Sequence, residues 1–483
     1  MNAVSFYNNA SKIRRSSQFR HGVIATRGIG VAVVVLLLQA CAGSSIFSSY
    51  PDQMKPIKAA ISTNNFKKPK DELNEHREDA DKILYMMERG RVAQIGADYP
   101  GSIADFQAAM DQIQVDEDKA KITASGAAAA GAALLTNDNA IPYSGDGYEK
   151  VFLHHFQAMN YLFSKKFEDA MVEIRRANEE QTFELQQHEK ELAKADEKAR
   201  EQAEKNKGFM SSFQAMADIA GRVKNSFQNA YTFYSSAVLW EAMGQPNDAY
   251  IDYKKALEIY PDNPYVQKDV LRLAKELHMD SDLDDFKGFK VQPDVADASK
   301  GSVVIFYEHG FAPSKGEVKI GLHTDKGIIQ AAFPTYADKW YPETPMVVAT
   351  DAKELGMTSP IVNVQAMAAK ALEEKLPGML IRQILRIIAK QKTNEESEKV
   401  GQIFSIATKI FNFASEKADR RSWLTLPNDA QIFRAYLDGG DHTLQLNNGH
   451  ASTQLTVKVV PKKTTIIRVV GTGATMHTAV ITL

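Results

Sequence analysis

FYSSAVLWEAMGQPNDAYIDYKKALEIYP, Phe233 to Pro261, decides how the first half of this chain folds. It reads as two helices. Phe233, Ser236, Ala237 and Trp240 recur at helical spacing on the first, Gly244 marks the turn, and Ala249, Tyr253 and Ala256 recur on the second. Small residues are needed where antiparallel helices approach closely, and aromatics fill the gaps beside them. Pro261 ends the second helix because it has no amide proton to continue the ladder.

This order of small and aromatic residues follows the tetratricopeptide pattern. The same frame fits Ala158, Tyr161, Ala170 and Ala177, and more loosely Gly90, Ser102, Phe106 and Ala109. Ala109 and Ala177 lie 68 residues apart, twice the 34-residue period, but Ala177 and Ala256 lie 79 apart. Simple tandem repetition is thereby ruled out, and three unrelated hairpins with alanine at their crossings remain the alternative. Between the second and third units, Phe183 to Asn206 is dense in Glu, Lys, Ala and Gln and favours helix with a thin apolar stripe. A charged helical extension over about 180–225 is expected there, either a solvated face or a partner-binding arm. Ser125 to Leu135 is small and apolar, without the Gly-Lys-Ser/Thr ending of a phosphate loop, and reads as close helix packing. Asn137, Asp138 and Asn139 read as turn and cap chemistry before a helix starting near Gly147.

After Gly301 the pattern switches to short runs rich in Val, Ile, Thr and Phe, which places the main boundary near 285–300. Strands are expected at Val303–Tyr307, Glu317–Leu322, Ile328–Phe333, Met346–Thr350, Gln431–Leu437, Thr443–Leu446, Gln454–Val460, Thr465–Val470 and Thr478–Leu483. The last five have hairpin spacing, with turns at Asp438-Gly439-Gly440 and Asn447-Asn448-Gly449. Two amphipathic helices interrupt them. The expected fold class is α+β: an all-α, tetratricopeptide-like domain over 70–290, then an antiparallel β-sandwich-like domain over 300–483 with a helical insertion at 364–418.

The N-terminus carries a different signal. Lys12, Arg14, Arg15, Arg20 and Arg27 precede VAVVVLLLQAC, Val31 to Cys41, which ends in the only cysteine of the chain. A basic region, an apolar run of about ten residues and small residues at a cut site form the order of a secretory signal. The run is too short to span a bilayer of ~30 Å. Leu38-Gln39-Ala40-Cys41 resembles the lipobox of bacterial lipoproteins, which implies cleavage after residue 40, a lipid on the Cys41 sulfur and a further acyl chain such as palmitate on the new N-terminus. Arg14-Arg15 leaves the export route open between the general and twin-arginine systems. Ala42, Gly43 and Ser44 follow with no aspartate, which by resemblance to enterobacterial sorting favours the outer membrane, facing the periplasm. Residues 41–69, rich in Ser, Pro, Lys and Asn, read as a tether.

The formal net charge of −2 becomes −7 once the five bases of residues 1–40 are removed. A mature chain of that charge has no general attraction for nucleic acid. With Cys41 used for lipid, neither disulfides nor thiol chemistry are available.

YEHGFAP (Tyr307 to Pro313), LPGMLIRQILR (Leu376 to Arg386), ADRRSWLTLP (Ala418 to Pro427) and IPYSGDGYEKV (Ile141 to Val151) together resemble a family of poorly characterised bacterial lipoproteins with tetratricopeptide-like repeats. The likeness covers most of residues 75–480. It implies an envelope location and a helical repeat domain, and it assigns no reaction.

No HExxH, GxSxG, paired-cysteine or dinucleotide motif is present, and no cofactor or metal is expected. The most suggestive polar clusters are Glu308 with His309, and Arg420 and Arg421 with Trp423. Each also reads as a capped turn or an interdomain contact, and the second, by position, would hold the inserted helices against the β-rich domain. Two functions are compatible with this sequence. One is a noncatalytic scaffold whose stacked helices offer a concave face to an envelope protein. The other is an envelope enzyme cleaving glycan or peptide with dispersed acids such as Glu308.

Overall fold

Among the described residues, five helix hairpins build the first half, each closed by the same turn. They pair α1 (Tyr50–Ile61) with α2 (Lys67–Asn74), α3 (Lys82–Ile95) with α4 (Tyr99–Thr123), and α5 (Gly147–Phe163) with α6 (Phe167–Lys194). After α7 (Gln214–Ala220) follow α8 (Ala230–Ala242) with α9 (Pro246–Ile259), and α10 (Pro264–Glu276) with the short α11 (Asp280–Asp285). Each first helix is followed by a residue of positive φ: Asn64, Ala97, Lys165, Gly244 and His278. The next amide donates to the carbonyl five residues back, as Lys166 does to Tyr161 and Gln245 to Trp240. This is the Schellman closure of a helix C-terminus. Asn64 and Ala97 are 33 residues apart, and Gly244 and His278 are 34 apart. Tandem spacing therefore exists at both outer ends of the array, where the sequence pattern alone did not reveal it.

This computed structural model describes residues 49–123, 138–194, 208–293, 297–324, 327–336, 339–398 and 417–483. Crossings inside the three long pairs are made by the expected small residues: Ala109, Ala158, Ala170, Ala177, Ala237, Ala249 and Ala256 are buried. At Gly90 an added Cβ would stand 2.5 Å from the Phe106 ring, so only glycine lets α3 and α4 meet there. Trp240 is buried, donates from its indole nitrogen to Asp252 Oδ2 at 3.2 Å, and lies beneath Arg175. Trp240→Ala is expected to cost about 3 kcal/mol in denaturant unfolding; wild-type stability with lost partner binding would make it a ligand platform instead.

The second half contains β1 (Lys300–His309), β2 (Gly316–Thr324), β3 (Gly327–Thr335), β4 (Val347–Thr350), β5 (Glu354–Met357), β6 (Ser359–Asn363), the helix α12 (Val364–Glu398), β7 (Asp429–Asp438), β8 (Gly440–Asn447), β9 (Ser452–Val459), β10 (Thr464–Gly471) and β11 (Met476–Thr482). A five-stranded sheet has the order β11-β10-β1-β7-β6, a four-stranded sheet the order β5-β4-β8-β9, and β2 pairs with β3. β1 is buried along nearly its whole length, and its side chains alternate between two cores. Val304 and Phe306 join the helical core, whereas Val303, Ile305 and Tyr307 pack with Val348, Leu444, Leu446 and Val457 of the four-stranded sheet.

Three expectations are corrected here. The tether stops before Tyr50, because Tyr50, Met54, Ile57 and Ile61 recur at helical spacing and are buried. Pairing is not antiparallel throughout: β1 and β10 run parallel, with Val304 opposite Ile466. Asp438-Gly439-Gly440 closes no hairpin, since β7 pairs with β1 and β6 while β8 pairs with β4 and β9; the chain changes sheets there. The first inserted helix is α12, 35 residues with Pro377 inside, and the second, expected at Ile403 to Phe413, lies outside the described residues. Tyr50–Leu483 forms one unit in which both halves share a core.

Candidate functional site

Two buried ionic clusters join the helices to the five-stranded sheet. In the first, Glu308 of β1 accepts from Arg91 of α3, from Arg468 Nε of β10 at 2.9 Å and from the Tyr231 hydroxyl of α8 at 3.3 Å. Arg91 and Glu308 are almost wholly shielded, at 1% and 0% exposure. Burial by itself would raise the Glu308 carboxyl, but Arg468 and Arg91 outweigh it and hold it down at about 2. In the second, Arg434 of β7 donates to Asp269 Oδ1 of α10 at 2.9 Å, to Glu241 Oε2 of α8 at 3.1 Å and to the Tyr253 hydroxyl at 2.9 Å.

Glu308 and His309 therefore form no catalytic pair. As neighbours on one strand they point to opposite faces, and His309 bonds Asp429 Oδ2 through Nδ1 at 2.9 Å. Glu308 is ionised, enclosed and fully engaged, which leaves it unsuited to general-acid work. His154 and His155, adjacent on α5, diverge: His154 meets Glu173 at 2.7 Å, whereas His155 is buried beside Ser235 and Tyr231. Burial pushes the His155 imidazole down to about 3. The folded chain keeps it neutral where an unfolded chain, with an ordinary value of ~6.5, takes up a proton. Its contribution to stability is thus lost as pH falls from about 6.5 toward 3. The stability of wild type minus that of His155→Phe should decline over this window, by up to ~1.4 kcal/mol per pH unit; parallel pH curves for the two proteins would refute it.

The face presented by α3 and α5 is filled by the chain itself. Residues 421–427 run across it, with the Trp423 amide donating to Glu149 Oε1 at 2.7 Å and the Leu424 and Thr425 amides to the two oxygens of Glu88 at 2.6 and 3.0 Å. The Trp423 ring is fully buried, edge-on to Phe106 and Phe156. Burial pushes the Glu88 carboxyl up to about 7 against these bonds. Arg421 pairs with Asp81 and Asp419 and donates to the carbonyls of Asp138 and Ile141. Arg420 donates through Nε to the Lys315 carbonyl at 2.6 Å. Arg421 and Trp423 thus fasten this segment to the helical repeats, a different pairing of parts from the inserted helix and sheet expected by position.

Beside Arg421 is a cavity of about 170 Å³ lined by Asp138, Asp146, Lys315, Lys375 and Arg382 among others. Three of the four family-like stretches meet there, and Lys315 follows the fourth by two residues. Its charges are largely matched: Lys375 pairs with Asp146, Arg382 and Arg386 face Asp138, and Lys315 donates to the Arg421 carbonyl. The site reads as an interlock of four segments.

A second, larger opening of about 420 Å³ lies between α4, α5 and α6. Met110, Ile113, Leu153 and Phe183 supply apolar lining, and carboxylates crowd one lysine: Lys150 lies 2.7 Å from Glu117, 3.6 Å from Glu184 and 3.9 Å from Glu180. Among the described residues no group of three His, Cys, Asp or Glu is placed to hold a metal, and no helix is long and apolar enough to cross a membrane. Cys41 lies outside the described residues.

Sequence reasoning missed Glu88, Glu149, Arg91, Arg468 and Arg434. A signal existed for the first three, since each is a charged residue on a helix otherwise buried around most of its surface. Arg434 and Arg468 sit on sheet faces whose partners are distant in sequence, and nothing local marks them.

No protein-family model matches the chain, and the search of curated proteins gives no significant match. Similar solved structures include two crystal structures of MamA, at 7% and 8% identity, covering 47% and 48% of this chain and 88% and 85% of theirs, with TM-scores of 0.25 and 0.26. Another is the TPR2AB-domain:pHSP90-complex of yeast Sti1, at 14% identity, 49% and 87% coverage and a TM-score of 0.20. The helix-pair assignment rests on the five turns and their crossings, not on these likenesses.

Proposed function

We propose that this protein is a noncatalytic interaction scaffold of the bacterial cell envelope, anchored by lipid on Cys41 to the outer membrane and facing the periplasm, with a β-sandwich-like half that braces its helical repeats. The observation that carries the scaffold reading is the division of helical surfaces. The inner face is taken by residues 421–427, while the groove between α4, α5 and α6 stays open with apolar and acidic side chains. Repeat proteins use such inter-helix surfaces to hold partner chains. The lipobox resemblance supports the anchor. Eight residues lie between Cys41 and Tyr50, where α1 begins; at ~3.3–3.6 Å per residue the nine steps reach about 30 Å at most, which would keep the start of α1 near the membrane.

Cys41→Ser is expected to leave the folded body intact and move it from the membrane to the soluble fraction, or to leave the leader uncleaved. Retention in the outer membrane after a high-salt wash would disprove lipid anchoring. For the scaffold, crosslinking in the native envelope should recover a specific partner at near equal abundance. Sugar or peptide products released by purified protein would favour the enzyme reading.

A further inference from the structure

We propose that the groove between α4, α5 and α6 is the docking surface, and that its occupant is a basic amphipathic segment of a partner protein. This inference rests on the scaffold reading and names the partner's chemistry. The groove combines two features. Its apolar part is incompletely covered: Phe183 is 42% exposed, and Met110 and Ile113 are only partly buried. Its charge is unbalanced: Asp111, Glu117, Glu179 and Glu180 line it against Lys150 and Arg176.

Both bases are already engaged. Lys150 is shared among Glu117, Glu180 and Glu184, and Arg176 bonds Glu173 at 2.7 Å, itself a carboxylate held by His154. Glu180 Oε1 is shielded from solvent and lacks a hydrogen-bond partner. Burial, together with the neighbouring carboxylates Glu184 and Glu117, raises the Glu180 carboxyl despite Lys150. A cationic side chain entering the groove would relieve this excess, and an apolar side chain beside it would cover Phe183, Met110 and Ile113. An acidic or purely apolar segment could satisfy only one of the two features. Charge complementarity of this kind also speeds encounter and weakens with salt.

The test uses the mature chain, residues 41–483, carrying Cys41→Ser. The probe is a fluorescein-labelled synthetic helix-forming peptide with Leu on one face and Lys on the others, and its counterpart has Glu in place of Lys. Fluorescence anisotropy should detect binding of the Lys peptide, weakening as salt rises from about 50 to about 300 mM, and none of the Glu peptide. Glu117→Gln with Glu180→Gln, and separately Phe183→Ser, should each weaken binding by about tenfold or more, since charged and apolar anchors both contribute. Asp438→Asn with Asp441→Asn, exposed acids on the β-rich half, should leave it unchanged.

Equal loss in that control pair, equal binding of both peptides, or indifference to the groove variants would overturn the proposal, because binding would then report net charge alone. A photoreactive phenylalanine derivative at Phe183, and another at the exposed Ile328, separates the two levels of the argument in the native envelope. A specific crosslink from Ile328 with none from Phe183 would overturn the groove and leave the scaffold standing. A specific crosslink from Phe183 that disappears with Glu117→Gln and Glu180→Gln supports both. Absence of crosslinks from both positions would count against the scaffold itself.

Discussion

Glu308→Ala is expected to destabilise the protein by roughly 3–5 kcal/mol, the usual result of removing one partner from a buried ion pair. The cause is what remains. Arg91 and Arg468 are almost completely buried, from the helical and sheet sides respectively, and both spend guanidinium bonds on the one carboxylate. Without it, two positive charges face each other inside a shared core, with the Tyr231 hydroxyl left unpaired. Urea unfolding followed by tryptophan fluorescence should show a much lower midpoint. Glu308→Gln should be nearly as harmful, since an amide supplies no charge and places a donor against two donors. Replacing Arg91, Glu308 and Arg468 together by Met, Leu and Met should restore much of the loss, because matched apolar groups avoid the desolvation penalty. An unchanged midpoint in Glu308→Ala would mean that the cluster is hydrated and not a clamp.

Trp423→Ala is expected to cost a further large amount, about 3–5 kcal/mol, as for emptying any large aromatic site. Its consequence should spread beyond the cavity. The ring packs on Phe106 of the first long hairpin and Phe156 of the second, while its own backbone and the next two amides are held by Glu149 and Glu88. Loss of the ring loosens the segment, and a loosened segment takes three amide donors from two buried carboxylates, leaving Glu88 with the Tyr50 hydroxyl and Glu149 with the Asp146 amide and the Tyr143 and Tyr148 hydroxyls. Limited proteolysis should then open cuts in α3 to α6 as well as in the 376–390 stretch. Protection of the helical hairpins equal to wild type, with new cuts confined to α12, would restore the positional expectation that Trp423 serves only the insertion.

How legible all this was in the sequence depended on the distance between partners. The three long hairpins could be read because Ala, Gly and aromatic residues recur within one local frame, as at Ala237, Trp240, Ala249 and Tyr253. The first and fifth hairpins could not. Their turns use Asn64 and His278 at positive φ, where the third long pair uses Gly244, and α1 hides its apolar stripe among Pro, Lys and Asp. All nine expected strands exist, but their partners were misjudged wherever the chain changed sheets, since adjacency in sequence says nothing about β10 lying parallel to β1. Glu308, Arg421 and Trp423 stood out locally as polar or aromatic oddities. Their roles did not, because Arg91 lies 217 residues from Glu308 and Glu149 lies 274 from Trp423. Only folding brings them together.

The central claim is that the helical repeats close their inner face on residues 421–427 and fold with the β-rich half as one unit, leaving the outer groove for a partner. Native-state hydrogen exchange at the Trp423, Leu424 and Thr425 amides measures this most directly, since these are the protons that Glu149 and Glu88 accept. The account predicts that they exchange as slowly as the central amides of α3, α5 and β1, through the same global opening. Exchange of the three amides many orders of magnitude faster than the flanking helices would show a segment that leaves its groove readily, and would return the inner face to the list of surfaces open to a partner.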